Sequence, residues 1–336
     1  MPNITFTFGS SKADLIFGKC QEPIASYITK RGEAYETGSL IKRLFVTKKS
    51  THFAERYGSA TAMEGFKPVG ENGPHPSDGF EDSYSKTINN ETWKSSFSIS
   101  REAMDDAQVM NLTEKPDAFI SSYYRTRDRF GACMYGAAMK LSDKCTFGAK
   151  EFDVLCADGE KLFSKAHPSK LGKKAQSNLF KDALSTASIG AMETAMQNFC
   201  GDQQEILDIT PDTILIPNDY KAKNKVFEAI GSDKDPATSN NGYNYQFGRW
   251  NIIVCPYLNE WLGADSGLWV MLDSKANERY KGAIWQERKA LEVRSYINDD
   301  NDANVWNGYA RFSAGFSEWR FAAIGGVSSG NQLVSA

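Results

Sequence analysis

Residues 115–146 read KPDAFISSYYRTRDRFGACMYGAAMKLSDKCT, and the rest of the chain is arranged around them. Phe119, Tyr123, Phe130, Met134, Ala138 and Leu141 recur at steps of three, four and seven, the spacing of one face of an α-helix. Thr113 or Asp117 is placed to cap the start, Pro116 suits the first turn, and Phe147-Gly148 marks the stop. At 1.5 Å per residue, roughly 28 residues make a rod of about 40 Å, longer than most globular helices. Gly131, Ala132, Gly136, Ala137 and Ala138 keep its middle small, so another backbone can lie close. Arg125, Asp128, Arg129 and Lys140 occupy the opposite face, which stays wet or meets a partner. So long a helix with one apolar stripe predicts a spine laid across a sheet.

Upstream, from about His52 to Arg101, the chain changes character. The run SATAMEGFKPVGENGPHPSDGFEDSYSK (59–86) holds four glycines and three prolines among very few aliphatic residues. Around it, Phe80, Tyr84 and Ile88, then Trp93, Phe97 and Ile99, fall at strand spacing. This predicts a long two-stranded arm with its tip near Glu71–Asp78. Ordering each backbone costs about 1–2 kcal/mol, and a large buried side chain returns about 2–3 kcal/mol. The few anchors (Met63, Phe66, Phe80, Tyr84, Trp93) are too sparse for an isolated hairpin, which is marginal in water. The arm is therefore expected to pack on another subunit; the plainer reading is a surface insertion. Residues 1–45, a polar lead and a helical pattern broken by Pro23, have too little apolar surface to fold alone.

Downstream, Phe152–Cys156 and Leu162–Ser164 around Gly159 predict a short hairpin. Six lysines from Lys161 to Lys181 make a basic loop, read as a solvated face, with contact to an acidic partner or nucleic acid as the alternative. A helix follows over Asp182–Phe199, with Leu184, Ile189, Met192, Met196 and Phe199 inward. From Asp208 the pattern becomes α/β: strand Thr213–Ile216 ended by Pro217, then a helix to Ile230 capped by Asn218 or Asp219. Trp250–Cys255 and Trp269–Leu272 read as strands. So do Ala290–Tyr296 and Val305–Ser313, joined by the turn Asn298–Asp302, and finally Trp319–Ile324. The fold class is α+β.

Composition narrows the function. The 336 residues are 41% hydrophobic and 24% charged, ordinary globular values that exclude disorder throughout. A net charge of −3 argues against a chain held together mainly by phosphate contacts. Cys20, Cys133, Cys145, Cys156, Cys200 and Cys255 include no C-x-x-C pair and are read as free, mostly buried thiols. No basic-then-apolar leader opens the chain, and no apolar run is long enough to cross a bilayer.

Catalytic signatures are absent. Three histidines (His52, His75, His167) show no metal-ligand spacing. There is no phosphate-cradling lysine loop, dinucleotide fingerprint or nucleophile elbow. Ser164 and His167 could be imagined as nucleophile and base, but Pro168 stiffens the spacing and no orienting carboxylate follows. Asp300–Asn304 starts like a calcium loop, then places Val305 where glycine belongs and Arg311 where the bidentate glutamate belongs. No cofactor, metal or enzymatic activity is expected.

Two segments carry a resemblance. Asp158-Gly159-Glu160-Lys161-Leu162-Phe163-Ser164-Lys165-Ala166-His167-Pro168, then Ser177-Asn178-Leu179, is similar to an L-F-S-x-x-H-P run followed by a serine–asparagine pair. Thr213–Pro217 with Ala222, and Val254–Leu258 with Trp269, fit the same family. With the order of parts, they resemble tailed-bacteriophage major capsid proteins of the Hong Kong 97-type fold, above all the Mu-like major head subunits.

The resemblance implies an N-terminal arm (1–48) and an extended loop hairpin (49–101). It implies a peripheral domain with the spine helix (102–205 and 280–312) and an axial domain (206–279 and 313–336). The implied activity is self-assembly, through hexamers and pentamers, into an icosahedral shell around double-stranded DNA, with scaffold and portal proteins as partners. Synthesis in the bacterial host cytoplasm and residence in the virion follow, with no membrane. Phe66, Lys67 and Phe80 on the loop and Arg125 and Arg129 on the spine are the expected inter-subunit contacts. One family variant cross-links through a loop lysine; Lys67 has no matching asparagine or glutamate here, so that chemistry is not implied. The family's long N-terminal scaffolding segment has no counterpart, and a separate scaffold is expected. The rivals are a nanocompartment shell enclosing protein, a hydrolase with a lid at 65–79 using His167, and a tail module.

Overall fold

The computed structural model describes residues 21–60, 68–69, 82–106, 109–233, 243–263 and 266–333. Helices α1 (Gln21–Thr37) and α2 (Leu40–Leu44) lead into β1 (Val46–Lys49). Strands β2 (Ala54–Ala60), β3 (Asp82–Asn89) and β4 (Glu91–Ile99) follow, then α3 (Arg101–Asp105) and the spine, α4 (Val109–Met139). Next come β5 (Lys144–Phe147), β6 (Lys150–Asp153), α5 (Thr186–Gln197), β7 (Thr213–Pro217) and α6 (Tyr220–Ile230). The chain continues through β8 (Asn251–Cys255), α7 (Leu258–Leu262), β9 (Trp269–Leu272) and α8 (Ser274–Tyr280). It closes with β10 (Ala283–Asn298), β11 (Ala303–Phe316) and β12 (Ala322–Gly325).

The spine is 31 residues long, but its ends differ from the sequence expectation. It begins before Thr113 and Asp117, so neither caps it, and Pro116 lies inside. Proline costs a helix interior one backbone donor while keeping a helical φ. The helix stops at Met139, short of Phe147-Gly148. Leu141 takes φ 56°, and its N–H and that of Ser142 return to Ala138 O and Ala137 O, closing the last turn. Gly148 (φ 62°) instead turns β5 into β6.

That β5–β6 hairpin folds back onto the spine and brings Cys145 to Cys133, Cα–Cα 6.2 Å, as a disulfide. The expectation of free thiols is thereby corrected for this pair; Cys156, Cys200 and Cys255 are free, and Cys20 lies outside the described residues. Around Gly159 only a single Leu155–Lys161 bridge forms, because Phe152 and Asp153 pair with β5.

Two four-stranded sheets organise the molecule. The first has order β1-β10-β11-β4 and carries the spine on one face. Aromatic rings make that seam. Trp93 stacks on Phe312 (centroids 4.8 Å), Phe312 on Trp285 (5.0 Å), and Phe97 on Trp306 (5.1 Å). Phe130 of the spine sits edge-on to Trp285. The single apolar stripe describes only the upper spine. From Phe130 to Gly136 every residue is buried, because α2, β5 and α7 also close on the helix. The second sheet has order β12-β9-β7-β8, with β7 buried throughout and parallel to β8. Asp219 caps α6 by accepting from Lys221 N and Ala222 N. Core residues of the two sheets belong to one continuous cluster.

The arm is the other correction. β3 pairs with β2, while β4 leaves to pair with β11, so the two strands flanking the glycine-rich run are 54–60 and 82–89. Buried Asn90 makes the exit. Its N–H donates to Phe53 O, and its Nδ2 donates to Ser50 Oγ (2.7 Å) and His52 O (2.8 Å).

Candidate functional site

The segment that carried the sequence resemblance is a structural node. Asn178 has no exposed surface. Its Oδ1 accepts from Ser164 N (2.9 Å) and lies 3.2 Å from His167 Nε2. Its Nδ2 donates to Leu162 O (2.8 Å) and Ala322 O (3.0 Å), tying the loop to β12. The other ring nitrogen of buried His167, Nδ1, is 2.7 Å from Asp158 Oδ2, and the ring stacks on Trp319 at 4.2 Å. Ser164 Oγ donates to Glu160, not to the histidine. The serine hydroxyl and the Nδ1 of the histidine are thus committed to different carboxylates, Glu160 and Asp158, while both residues share Asn178 Oδ1.

Arg320 fixes the next layer. Its Nη2 donates to Asp202 Oδ1 (3.1 Å), Nη1 to both Glu318 oxygens (3.0 Å), and Nε to Cys200 O (3.0 Å). Burial works against this charge, but Glu318 and Asp202 outweigh it and hold the guanidinium charged above its usual range. Among the described residues no group of histidine, cysteine and carboxylates could hold a metal, and no helix is long and apolar enough to cross a membrane.

On the spine, Arg125 is exposed, whereas Arg129 donates through Nε and Nη2 to Glu260 on α7 (3.2 and 2.9 Å). Asp128 accepts from Ser39 Oγ (2.9 Å) and Leu40 N (3.1 Å), docking the start of α2. Burial raises its pKa against the lowering effect of those bonds. Sequence reasoning passed over Arg127. Its guanidinium is buried beside the rings of Tyr123, Trp285 and Phe312 and 3.5 Å from Glu287. Its position four after Tyr123 and three before Phe130 was the available signal, since that is the apolar stripe.

The root of the arm is anchored on its own subunit. Lys86 pairs with Asp153, Tyr57 OH donates to Gln286 Oε1 (3.1 Å), and Ile88 is buried against Gly315. Lys170 lies 5.0 Å from the centre of the Tyr84 ring. Phe66, Lys67 and Phe80 lie outside the described residues.

A family model described as "Phage capsid protein" matches residues 84–325, well over half of the chain. The chain belongs to the phage capsid protein family. It is a major capsid protein of a bacteriophage, with the α+β Hong Kong 97-like fold, and builds an icosahedral shell. The capsid of cyanophage P-SCSP1u shares that fold at 11% identity and TM-score 0.50, covering 85% of this chain and 87% of that one. The procapsid of bacteriophage JBD30 is 14% identical (95% and 77% covered, TM-score 0.49), and Mycobacterium phage Patience 12% (99% and 93%, 0.48). No curated protein matches the sequence.

In the capsid protein the family match begins at Tyr84, just inside β3, and ends at Gly325, the last residue of β12. It therefore contains the spine, both four-stranded sheets except β1, and the Asn178 node. The oligomer is a shell, and the virion is its place.

Proposed function

We propose that the capsid protein forms hexamers and pentamers around double-stranded DNA, each subunit laying its extended loop on a neighbour. The carrying observation is that β2 and β3 pair only with each other, as a two-stranded sheet apart from both four-stranded ones. A two-stranded ribbon is marginal alone. Its root is held by Lys86, Tyr57 and Ile88, and residues 61–81 connect the two strands in the sequence. Main-chain pairing and a few side-chain anchors on another copy would complete it. Phe66, Lys67 and Phe80 are assigned to that contact, and Arg125, with the open side of Arg129, to contacts along the spine.

The division of labour follows the sequence reading: arm 1–48, loop 49–101, peripheral domain 102–205 with 280–312, axial domain 206–279 with 313–336. The subunit acts by assembly and not by catalysis; the bonds that occupy Ser164 and His167 support this. Scaffold and portal proteins are its assembly partners, and it is made in the host cytoplasm.

Deleting residues 66–79 tests the loop assignment. The expected product is a folded subunit, with unchanged far-UV circular dichroism, that sediments as unassembled protein. Normal particles from this deletion would refute the assignment. Nuclease-protected DNA in particles from infected cells separates genome packaging from enclosure of protein.

A further inference from the structure

We propose that the acidic turn of the β10–β11 hairpin on one subunit docks into a basic groove at the opposite end of the same sheet on another copy. This rests on the shell-assembly reading above and names two surfaces that reading leaves open. The groove, about 510 Å³, lies between α2, β1 and α8 and is lined by Lys42, Arg43, Phe45, Val46, Lys48 and Lys275. Glu278 is the acidic residue in the lining. Lys42 reaches Glu36 only at 3.8 Å, and Arg43 donates to the neutral oxygens Asn251 Oδ1 and Ile252 O. Lys48 and Lys275 have no carboxylate partner among the described residues. Four cations therefore surround a space that contributes one acid of its own.

The complementary surface is the turn after Asn298. Asp299 and Asp300 are exposed and without a cation partner among the described residues, whereas Asp302 is held by Arg101 (3.0 Å). Beside them Tyr296 and Ile297 are 48% and 37% exposed. The turn thus presents two large apolar side chains next to two free carboxylates. The groove offers the apolar wall of Phe45 and Val46 among the cations.

The two surfaces cannot meet within one molecule. β1 pairs with Ile284–Glu287 at the start of β10, and the turn begins at Asn298. Eleven residue steps along the strand separate Glu287 from Asn298, about 36 Å at ~3.3 Å per residue. A contact between opposite ends of identical subunits is heterologous, and repetition of such a contact closes rings or extends a lattice. β1 is an edge strand whose Lys48 and Lys49 discourage pairing with another strand. That favours a turn seated by its side chains over strand addition. Complementary charge would set the register of docking more than its strength.

Charge exchange in the full-length chain tests this, read by sedimentation and electron microscopy of assembled particles, with circular dichroism to check folding. Lys48→Glu with Lys275→Glu, and separately Asp299→Lys with Asp300→Lys, should each lower particle yield about tenfold through like-charge contact. The combination of all four should restore it. Wild-type yield from either pair, or no recovery in the combination, overturns the docking. Normal particle yield with less packaged DNA from the groove variant assigns the groove to nucleic acid and also overturns it. If a reversal unfolds the subunit, Lys275→Gln and Asp300→Asn carry the same comparison, with reduced yield expected from each and unchanged yield refuting. Wild-type protein forming no particles in the same preparation counts against the assembly reading itself, not against the docking.

Discussion

Asn178 is the residue whose removal should be felt most widely for its size. Asn178→Ala deletes the partner of Leu162 O and Ala322 O, both buried, and of the Ser164 N–H and His167 Nε2. A buried polar group left unpaired costs about 1–3 kcal/mol, and two carbonyls lose their side-chain donor, so a loss of about 3 kcal/mol is expected. Unfolding entropy near 2.1 cal/mol/K per residue, over this length about 0.7 kcal/mol/K, converts that to a Tm lower by about 4 °C. Differential scanning calorimetry of the unassembled subunit is the assay. Asn178→Asp is the sharper control, because it turns a carboxylate oxygen toward two carbonyl oxygens. That carboxylate would hold its proton more tightly folded than unfolded. The Asn178→Asp deficit relative to wild type should therefore be largest at pH 8 and shrink as pH falls toward 4. A Tm for Asn178→Ala within about a degree of wild type, or an aspartate variant as stable as wild type at pH 8, would refute the assignment of the node.

The small residues of the spine should not respond alike. A Cβ at Gly131 would meet the terminal methyl of buried Ile41 (2.6 Å) and the edge of the Phe45 ring (3.1 Å), whereas one at Gly136 would meet the Cβ of Trp261 (2.7 Å) beside the α7 backbone. Alanine gains about 1 kcal/mol over glycine in a helix, and overpacking costs about 1–3 kcal/mol. Gly131→Ala, which displaces only side-chain ends, is expected to be less destabilising than Gly136→Ala in chemical denaturation; the reverse order would refute the packing argument. Asp128 gives a pH prediction. Burial, outweighing its bonds from Ser39 and Leu40, raises its folded pKa above the ordinary 3.8. Stability from this group is therefore absent well above the folded pKa, is gained as pH falls through it, and is complete below the unfolded value. Asp128→Asn keeps an acceptor for both bonds but loses that gain. Its stability relative to wild type should fall between pH 7 and pH 4 in parallel melts, and a variant that gains on wild type as the pH falls would refute the sign.

What was legible in the sequence was local. Thr213–Pro217 with Asp219 announced a buried strand, a stop and a cap within seven residues, and each is found. The body of the spine was legible for the same reason, through a period that repeats every turn. Its end was not: the closing residue is Leu141 in the left-handed region, a role glycine advertises and leucine does not. Gly148, the visible signal, belongs to the next hairpin. Pairings across the chain left no local mark. β4 has the same strand spacing whether it joins β3 or β11, and the partner it takes, β11, is the one that stacks Trp93 on Phe312. The Cys133–Cys145 bond likewise needed the fold-back of β5. Arg127 was illegible for another reason: its charge marks a wet face, while its place between Tyr123 and Phe130 puts it on the apolar stripe. Of the five expected contact residues, three lie outside the described residues, and Arg129 makes an ion pair within its own subunit.

One property of the fold bears on how a shell can use it. Because the two four-stranded sheets share a continuous core, that core is dense and transmits strain rather than absorbing it. A subunit that must take up differently angled positions then adjusts at the lowest cost where the core is absent. The β2–β3 ribbon hangs from it by Lys86, Tyr57 and Ile88, whereas the far half of the β10–β11 hairpin packs through Trp306 on a second cluster with Phe119 and Ile120 of the spine, leaving its turn beside exposed Tyr296 and Ile297. Only the β2–β3 ribbon is two-stranded, since β11 carries β4 on its other edge as far as Asn304. The spine and its aromatic seam accordingly fix the shape of the subunit, and the β2–β3 ribbon, with the least core behind it, is where a change of angle between neighbours is expected to cost least.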